Sequence, residues 1–324
     1  MTKKGSLLSF RPDIKVVDAT IRDGGLVNDF RFTDEFVKEL YQANVQAGVD
    51  YMELGYKASK DIFDENEFGP WKFCDEEDIR RIAGDNDTDM KLCVMADVGR
   101  CNYKRDIINR ADSAIDLIRI ATYINTIPAA LKMVEHCHGL GYETTVNIMA
   151  ISNAKESEIK EALNLIGQSP ADGIYIVDSY GALYMEQIEE LADKYLEMTE
   201  LHEKFVGIHA HNNQQLAFAN TIAALTRGVS YLDATVSGMG RGAGNCSSEQ
   251  LLGFLKNPKY DIIPILRFIE KYMEPLKDAG IVWGYNIPYL LTGQTNQHPR
   301  SAIAATKSNR KDYLKFLLEL NDRD

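Results

Sequence analysis

The sequence lacks any long apolar run. Within its 324 residues there is no stretch of about 20 consecutive apolar side chains, which a membrane-spanning helix requires. The first residues, MTKKGSLLSFRPDIK, include basic side chains but not the apolar segment of a secretory signal peptide. These absences argue against a membrane as a partner and predict a cytoplasmic protein.

Cysteine is scarce, and basic residues are outnumbered by acidic ones. The five cysteines are odd in number and no two are spaced as C-x-x-C, so neither a disulfide framework nor a zinc knuckle is indicated. The 36 Lys and Arg residues stand against 48 Asp and Glu residues, which gives a formal net charge of −12. Because nucleic-acid binding depends on clustered positive charge, this composition argues against DNA and RNA as partners.

What the sequence does contain is a regular alternation of short β-branched runs with longer helical patterns. The runs cover residues 15–19, 51–55, 91–96, 117–121, 144–149, 173–177, 205–210 and 231–236. Strands that alternate with helices build a parallel sheet, and eight such units close a barrel. The sequence therefore predicts an α/β fold, a (β/α)8 TIM barrel.

No segment rich in Pro, Gly or Ser separates one part of the chain from another, so a second folded domain is not required. We expect a TIM-barrel catalytic domain over residues 1–257. A C-terminal helical extension over residues 258–324 is expected to pack on the barrel or on a partner subunit. Among the helices, one at 34–47 is predicted to begin after Thr33 as its N-cap, and another covers 262–273.

Two histidines lie at the end of the seventh predicted strand. The segment GIHAHNN places His209 and His211 two residues apart, so their side chains point to one face, about 6.6 Å apart along the strand. In a βα barrel the reactive groups come from the C-terminal ends of the strands. Two imidazoles at this spacing can bind one divalent ion, and the alternative is a buried pair of structural histidines.

A carboxylate follows the first predicted strand. The segment VVDATIRDGG delivers Arg22 and Asp23 just beyond it, and Gly24 and Gly25 are expected to form a tight turn. One carboxylate and two imidazoles form a facial O,N,N set that suits Mn²⁺, Co²⁺, Fe²⁺ or Zn²⁺, and Mg²⁺ where further oxygen ligands join. An arginine beside such an ion can stabilise the negative oxygen formed when a C–C bond next to a carbonyl breaks. The pattern indicates a lyase.

A glycine-rich loop follows the eighth predicted strand. Its sequence, SGMGRGAGN, contains G-x-G-x-x-A at Gly238, Gly240 and Ala243, which is also the pattern of a dinucleotide-binding turn. That turn normally belongs to the first βαβ unit of a doubly wound sheet. We therefore favour a loop whose backbone approaches a small anionic ligand or places Asn245 near the metal.

Together these motifs resemble the metal-dependent lyases and synthases that carry an Arg-Asp pair after the first strand of a TIM barrel. This hydroxymethylglutaryl-CoA lyase-like family includes 4-hydroxy-2-oxovalerate aldolase, isopropylmalate synthase and homocitrate synthase, and the aldolase branch is the most similar. The resemblance extends over residues 16–253 and rests on the segments DATIRDG, DLIRIAT, VDSYGA, GIHAHNN and YLDATVSGMGRGAGN.

The resemblance implies roles for individual residues. The divalent metal is bound by Asp23, His209 and His211, with Asn245 as a further ligand or near-ligand, and Arg22 stabilises the pyruvate enolate. The metal is expected to be Mn²⁺, with Mg²⁺, Co²⁺ or Zn²⁺ as alternatives.

Residues near the strand ends are expected to support this site. For Asp18, Glu53, Arg119, Asn147 and Asp178 the alternative is a buried polar group in a barrel layer. The residues expected to contact substrate are Thr20, Asn147, Asp178 and Gly240. Those expected to hydrogen-bond around the ligands are Asp18, Glu53 and Arg119.

One position departs from the family. Oxovalerate aldolases carry a catalytic histidine shortly after Arg-Asp-Gly, where this chain has Leu26. The proton of the substrate 4-hydroxyl must therefore be accepted by another group, and the alternatives are metal-bound water, Tyr289, Tyr285 and His298. We take Tyr289 as the catalytic candidate.

The leading hypothesis is a divalent-metal-dependent aldolase that cleaves a 4-hydroxy-2-oxo acid to pyruvate and an aldehyde through a metal-bound enolate. A Claisen-type synthase or lyase acting on an acyl-CoA and a 2-oxo acid would use the same metal site. Because the family histidine is missing, a catalytically inactive barrel that serves as a binding or scaffold subunit is the alternative from another class. The resemblance also points to a homo-oligomer and to an aldehyde dehydrogenase as a partner.

Overall fold

Eight parallel strands close into a barrel in the order in which they occur along the chain. The strands are β1 (Lys15–Asp18), β2 (Tyr51–Tyr56), β3 (Lys91–Asp97), β4 (Leu117–Tyr123), β5 (Glu143–Met149), β6 (Gly173–Asp178), β7 (Phe205–Ala210) and β8 (Tyr231–Ala234). Pairing of β8 with β1 completes the barrel. The computed structural model describes residues 8–322, and within them the predicted (β/α)8 TIM barrel is confirmed.

Helices follow the strands in alternation and continue beyond the last strand. They are α1 (Thr20–Asn28), α2 (Asp34–Ala47), α3 (Glu76–Ala83), α4 (Tyr103–Asp106), α5 (Ile127–Gly139), α6 (Glu156–Gly167), α7 (Met185–His202), α8 (Ala217–Arg227), α9 (Ser248–Phe254), α10 (Ile263–Phe268), α11 (Glu274–Asp278), α12 (Ile287–Gln294), α13 (Arg300–Lys307) and α14 (Tyr313–Asn321).

Local sequence signals account for some of the helix ends. The predicted cap of α2 is confirmed, because the side chain of Thr33 accepts a hydrogen bond from the backbone N–H of Phe36. The same helix ends at Gly48, whose φ of 74° favours glycine. The predicted helix at 262–273 is instead α10 followed by a π-helical turn at Ile269–Met273.

The side chains that point into the barrel form two layers of different chemistry. The first layer is apolar and consists of Val17, Tyr51, Cys93 and Leu117. Because side chains alternate along a strand, the residues two positions further on also point inward, and these include Glu53 on β2 and Arg119 on β4. Asp233 on β8 and His209 on β7 join them through hydrogen bonds, and all four are buried. The second layer is therefore charged.

The last three helices, α12 to α14, have a small core of their own, which includes part of the glycine-rich loop. This cluster consists of Ala243, Tyr289, Ala302, Ala305, Phe316 and Leu320. The Asn213 side chain donates to the carbonyl oxygen of Tyr289 (3.3 Å), and the Asn296 side chain donates to that of Ser152 (3.1 Å). Since Asn213 and Ser152 follow β7 and β5, α12 and the turn after it lie over the C-terminal end of the barrel.

Within residues 8–322, no helix is both long enough and apolar enough to cross a membrane. The prediction that the chain lacks a signal peptide rests partly on the first seven residues, which lie outside the described residues.

Candidate metal centre

Helix α1 begins almost directly after β1 and carries Arg22 and Asp23 in its first turn. The predicted tight turn at Gly24 and Gly25 is wrong, because both glycines lie inside this helix. Packing requires the small residue instead: a Cβ on Gly25 would lie only 2.1 Å from Cδ1 of the Phe30 ring. The glycines therefore let neighbouring side chains pack against the helix that presents Asp23.

Asp23 meets the two histidines at the C-terminal end of the barrel. His209 is the penultimate residue of β7, and His211 follows the strand. Their rings are 5.1 Å apart between centroids and nearly perpendicular, at 83°. One ligand atom from each of Asp23, His209 and His211 lies within 4.8 Å of the others, and all three residues are buried. The arrangement offers one carboxylate oxygen and two imidazole nitrogens to a common point.

Arg22 connects this cluster to the charged layer of the barrel. Its Nη1 donates to Oδ1 of Asp23 (2.9 Å), and its Nε donates to Oε2 of Glu53 (2.8 Å). The same Glu53 oxygen accepts from Nη1 of Arg119 (2.9 Å), which is fully buried. Two guanidinium groups therefore share one carboxylate beneath the cluster.

The other end of this chain of charges reaches His209. Nη2 of Arg119 donates to Oδ2 of Asp233 (2.6 Å), and the same oxygen lies 3.0 Å from Nδ1 of His209. The carboxylate fixes the imidazole hydrogen on Nδ1, and Nε2 then has a free lone pair. Nε2 of His209 lies 3.5 Å from Nη2 of Arg22. Because a guanidinium can only donate hydrogen bonds, the Nε2 lone pair faces Arg22 and the cluster.

The charge states of the cluster suit a cation. Burial alone would raise the pKa of Asp23, but the opposing charges, of which the adjacent guanidinium of Arg22 is the largest, hold that pKa well below its usual range. Burial lowers the pKa of His211 well below its ordinary value, so this imidazole is neutral. A carboxylate and neutral imidazoles are the forms that bind a metal ion.

Asn245 and Gly240 complete the surroundings of Asp23. The Asn245 side-chain amide donates to Oδ2 of Asp23, while its Oδ1 is buried without a hydrogen-bond partner among the described residues. A Cβ on Gly240 would lie 2.4 Å from that Asp23 oxygen and 2.1 Å from Nδ2 of Asn245, so only glycine fits there. The unpartnered amide oxygen, together with the carboxylate and the imidazoles, fits a divalent cation.

The cluster lines a cavity at the C-terminal end of the barrel. Asn147, on β5, also lines it, and its Nδ2 is buried and unpartnered among the described residues. Leu26, where the resemblance led us to expect a histidine, lines the cavity and is 38% exposed. His298 reaches the cavity from the C-terminal helices.

Three residues predicted for the site lie elsewhere. The hydroxyl of Thr20 is turned into the barrel wall, where it donates to Asp18 and accepts from the backbone N–H of Val236 (2.8 Å). The carboxylate of Asp178 accepts hydrogen bonds from the backbone N–H groups of the loop after β6 (3.0 and 3.3 Å). Tyr289 packs in the C-terminal cluster with Ala243 of the glycine-rich loop, and it lines a neighbouring cavity with Tyr285.

Three cavity or network residues were not singled out from the sequence. Asp233 orients His209, Arg241 in the glycine-rich loop lines the cavity, and Tyr56 at the end of β2 lines it beside Arg22. Asp233 and Tyr56 occupy strand positions that the strand-end rule covers, so that rule could have identified them.

Comparison with known proteins gives related matches over most of the chain. A family model described as HMGL-like matches residues 13–263. The 4-hydroxy-2-oxovalerate aldolase of Pelotomaculum thermopropionicum is 28% identical over 287 residues, which are 85% of this chain and 82% of that protein. The 4-hydroxy-2-oxovalerate aldolase of Thermus thermophilus is 30% identical over 270 residues, which are 81% of this chain and 75% of that protein.

Solved structures share the fold. The N-terminal domain of a putative aldolase from Bacteroides vulgatus aligns with a TM-score of 0.77 and 25% identity, covering 90% of this chain and 96% of that one. The carboxyl transferase domain of Rhizobium etli pyruvate carboxylase aligns with a TM-score of 0.72 and 17% identity, covering 93% of this chain and 54% of that one. At that identity the second match indicates a common barrel alone.

Proposed function

Because the chain belongs to the HMGL-like family, we propose that it is a divalent-metal-dependent aldolase that cleaves a 4-hydroxy-2-oxo acid between C3 and C4. The products are pyruvate and an aldehyde. The curated relatives reported above carry the corresponding name, 4-hydroxy-2-oxovalerate aldolase, and align over most of their own length. The observation that carries the proposal is the meeting of Asp23, His209 and His211 around one point beside Arg22.

Asp23, His209 and His211 would hold the metal, with the Asn245 side chain at the same place. One carboxylate and two imidazoles favour a transition metal, and we take Mn²⁺ as the physiological one. When bound, a divalent cation polarises the 2-oxo group and stabilises negative charge on its oxygen.

Arg22 has the position to stabilise the enolate of pyruvate. Its guanidinium is buried and held by Glu53 and Asp23, so it is oriented before substrate binds. A fixed positive charge in a site shielded from water stabilises a developing oxyanion without reorganisation during the reaction. Asn147 adds an unpartnered amide N–H group to the same cavity, where it can orient a substrate oxygen.

The test combines metal content with turnover. Purified protein should contain or bind one divalent ion per chain and release pyruvate from racemic 4-hydroxy-2-oxopentanoate only when that ion is present. His209→Ala should lose both the ion and the turnover, whereas His138→Ala, which removes an exposed histidine from the end of α5, should keep both. Full turnover by a metal-free His209→Ala protein would refute the proposal, and release of free CoA from an acyl-CoA would indicate a synthase instead.

A further inference from the structure

Arg241 is a cation at the cavity that has no carboxylate partner among the described residues. Its Nη2 donates to the carbonyl oxygen of Ser179 (2.8 Å). Its Nε is buried and has no hydrogen-bond partner among the described residues. By contrast, Arg22 and Arg119 are each paired with two carboxylates. Arg241 therefore has a positive charge and donor capacity that the described protein groups do not use.

His298 supplies a neutral donor to the same cavity. Its Nδ1 accepts a hydrogen bond from the backbone N–H of Arg300 (3.1 Å), and its ring packs edge-on against Tyr180 at 5.7 Å between centroids. Partial burial, with Arg241 and Arg300 nearby, lowers the pKa of His298 to about 4. A neutral imidazole carries one hydrogen. Because Nδ1 of His298 accepts, that hydrogen is on Nε2, and Nε2 can donate a hydrogen bond.

Little negative charge competes for these donors among the described residues. Among the described residues that line the cavity, the one carboxylate is Asp23, which is already bound by Arg22 and Asn245. The phenols of Tyr123 and Tyr180 line the cavity as well and can donate. A guanidinium that has neutral donors around it, and whose one nearby carboxylate is already bound by other groups, favours an anion. A carboxylate matches the planar guanidinium because it can accept two parallel hydrogen bonds.

We propose that Arg241 and His298 form a second anion subsite, so that the preferred substrates are 4-hydroxy-2-oxo diacids. This inference rests on the proposed aldolase function, in which the first carboxylate and the 2-oxo group lie at the metal centre. The second carboxylate, attached at or beyond C4, binds Arg241 and accepts a hydrogen bond from His298. The subsite selects substrates by charge and takes no part in the bond cleavage.

The products follow from the balance of the reaction. The C3–C4 bond breaks, its electron pair remains on C3 as the enolate of pyruvate, and C3 then takes up a proton. The 4-hydroxyl gives up one proton, which balances the proton that C3 takes up, and C4 becomes a carbonyl carbon. The second carboxylate stays on that fragment, so the enzyme releases an oxo acid rather than an uncharged aldehyde. The reaction that consumes this product must act on an acidic carbonyl compound.

A pair of unreactive ligands tests the subsite without turnover. 2-Oxoglutarate and 2-oxopentanoate have the same five-carbon chain and differ in the terminal carboxylate, and neither has the 4-hydroxyl that cleavage requires. 2-Oxoadipate and 2-oxohexanoate extend the comparison by one methylene group. Calorimetric titration of the Mn²⁺-loaded protein should show at least about tenfold tighter binding of the diacid in one of the two pairs, as a charged hydrogen-bonded pair predicts.

The variants assign that preference to the subsite. Arg241→Gln should reduce the diacid preference to less than about threefold, which corresponds to loss of one charge-assisted interaction. His298→Ala should reduce it by a smaller factor, because a neutral donor is lost. Arg267→Gln removes an exposed positive charge on α10 and should keep the wild-type preference.

Turnover of two substrates provides an independent test of the subsite. The ratio of kcat/KM for 4-hydroxy-2-oxoglutarate to that for 4-hydroxy-2-oxopentanoate should exceed ten and fall with Arg241→Gln. Equal binding within both ligand pairs, or a preference that survives Arg241→Gln, would overturn the subsite. If the protein then still cleaves 4-hydroxy-2-oxopentanoate with metal, the proposed aldolase function stands. If it cleaves neither substrate and binds no metal, the proposed function fails as well.

Discussion

Nδ1 of His209 lies 3.0 Å from Oδ2 of Asp233, and this contact orients a metal-binding candidate from the layer beneath it. The same oxygen accepts from Nη2 of Arg119 (2.6 Å). Burial alone would raise the pKa of Asp233, but Arg119 and His209 outweigh it and hold the pKa below its usual value. The carboxylate therefore stays charged and keeps the Nε2 lone pair of His209 directed at the cluster.

We expect Asp233→Asn to weaken metal binding by about 10- to 100-fold, which is typical when the group that orients a ligating histidine is lost. An asparagine cannot accept from both Arg119 and His209 through a charged oxygen, so the ring loses its fixed tautomer. The measurement is the dissociation constant for Mn²⁺. Asp193→Asn is the matched control, since Asp193 pairs with Arg227 at the surface. Equal affinity in wild type and Asp233→Asn would contradict the role of this contact.

Gly240→Ala should disturb the metal centre through space alone. The added Cβ would lie 2.4 Å from Oδ2 of Asp23 and 2.1 Å from Nδ2 of Asn245, both closer than real Cβ contacts. We expect at least about tenfold weaker Mn²⁺ binding, because a ligand and its neighbour must both move. In Gly139→Ala the new Cβ meets nothing within 4 Å, so that variant should bind metal like the wild type. Unchanged affinity in Gly240→Ala would show that the loop yields without affecting Asp23.

The fold was accessible from the sequence because it depends on periodicity. Eight β-branched runs alternating with helices allow few arrangements other than a closed parallel barrel. His209 and His211 were accessible for a related reason, since side-chain alternation and the strand-end rule together place them at the barrel mouth. Asp23 could be grouped with these histidines because it follows β1, and the C-terminal ends of all strands in a parallel barrel lie at the same end of the barrel.

The rest of the site depends on packing that periodicity does not encode. The strand-end rule reaches Asp233 as a position, but its contacts with His209 and Arg119 follow only from the strand register in the folded barrel. We predicted Tyr289 at the catalytic site, but its position depends on the contacts of α12 with the glycine-rich loop rather than on local sequence. Arg241 was missed because loop residues have no period. That it has no carboxylate partner within residues 8–322 is visible only in three dimensions.

Glu53→Gln should reduce stability because Glu53 serves two buried guanidinium groups. Oε2 of Glu53 accepts from Arg22 and from Arg119, and all three side chains are buried. Removing one partner from a buried ion pair leaves an uncompensated charge, so we expect a loss of about 3 to 5 kcal/mol in the free energy of unfolding. Urea denaturation measures this. Glu190→Gln breaks an exposed pair with Lys194 and should cost less than about 1 kcal/mol. Similar losses in the two variants would mean that the buried network contributes no more than a surface pair.

The pKa of His298 predicts a pH dependence of stability with a definite sign. Partial burial, together with the charges of Arg241 and Arg300 that face it beside Tyr180, lowers its pKa to about 4 in the folded protein, from an ordinary value of 6.5. As the pH falls from 6.5 towards 4, the unfolded chain takes up a proton at this residue while the folded protein does not. Stability is therefore lost across that window, and the residue has no such effect above pH 6.5.

One proton limits this loss to about 1.4 kcal/mol per pH unit, and the half-exposed ring should contribute less than that limit. His298→Gln has no titrating group there, so its free energy of unfolding should fall less steeply than that of the wild type between pH 6.5 and 4.5. Urea denaturation at several pH values measures both slopes, and an NMR titration of the imidazole gives the pKa directly. Two outcomes would contradict the prediction: parallel stability curves for the two proteins, or an imidazole that titrates near 6.5. Either would mean that His298 is charged in the cavity under mildly acidic conditions, and it could then not be assigned as a neutral donor.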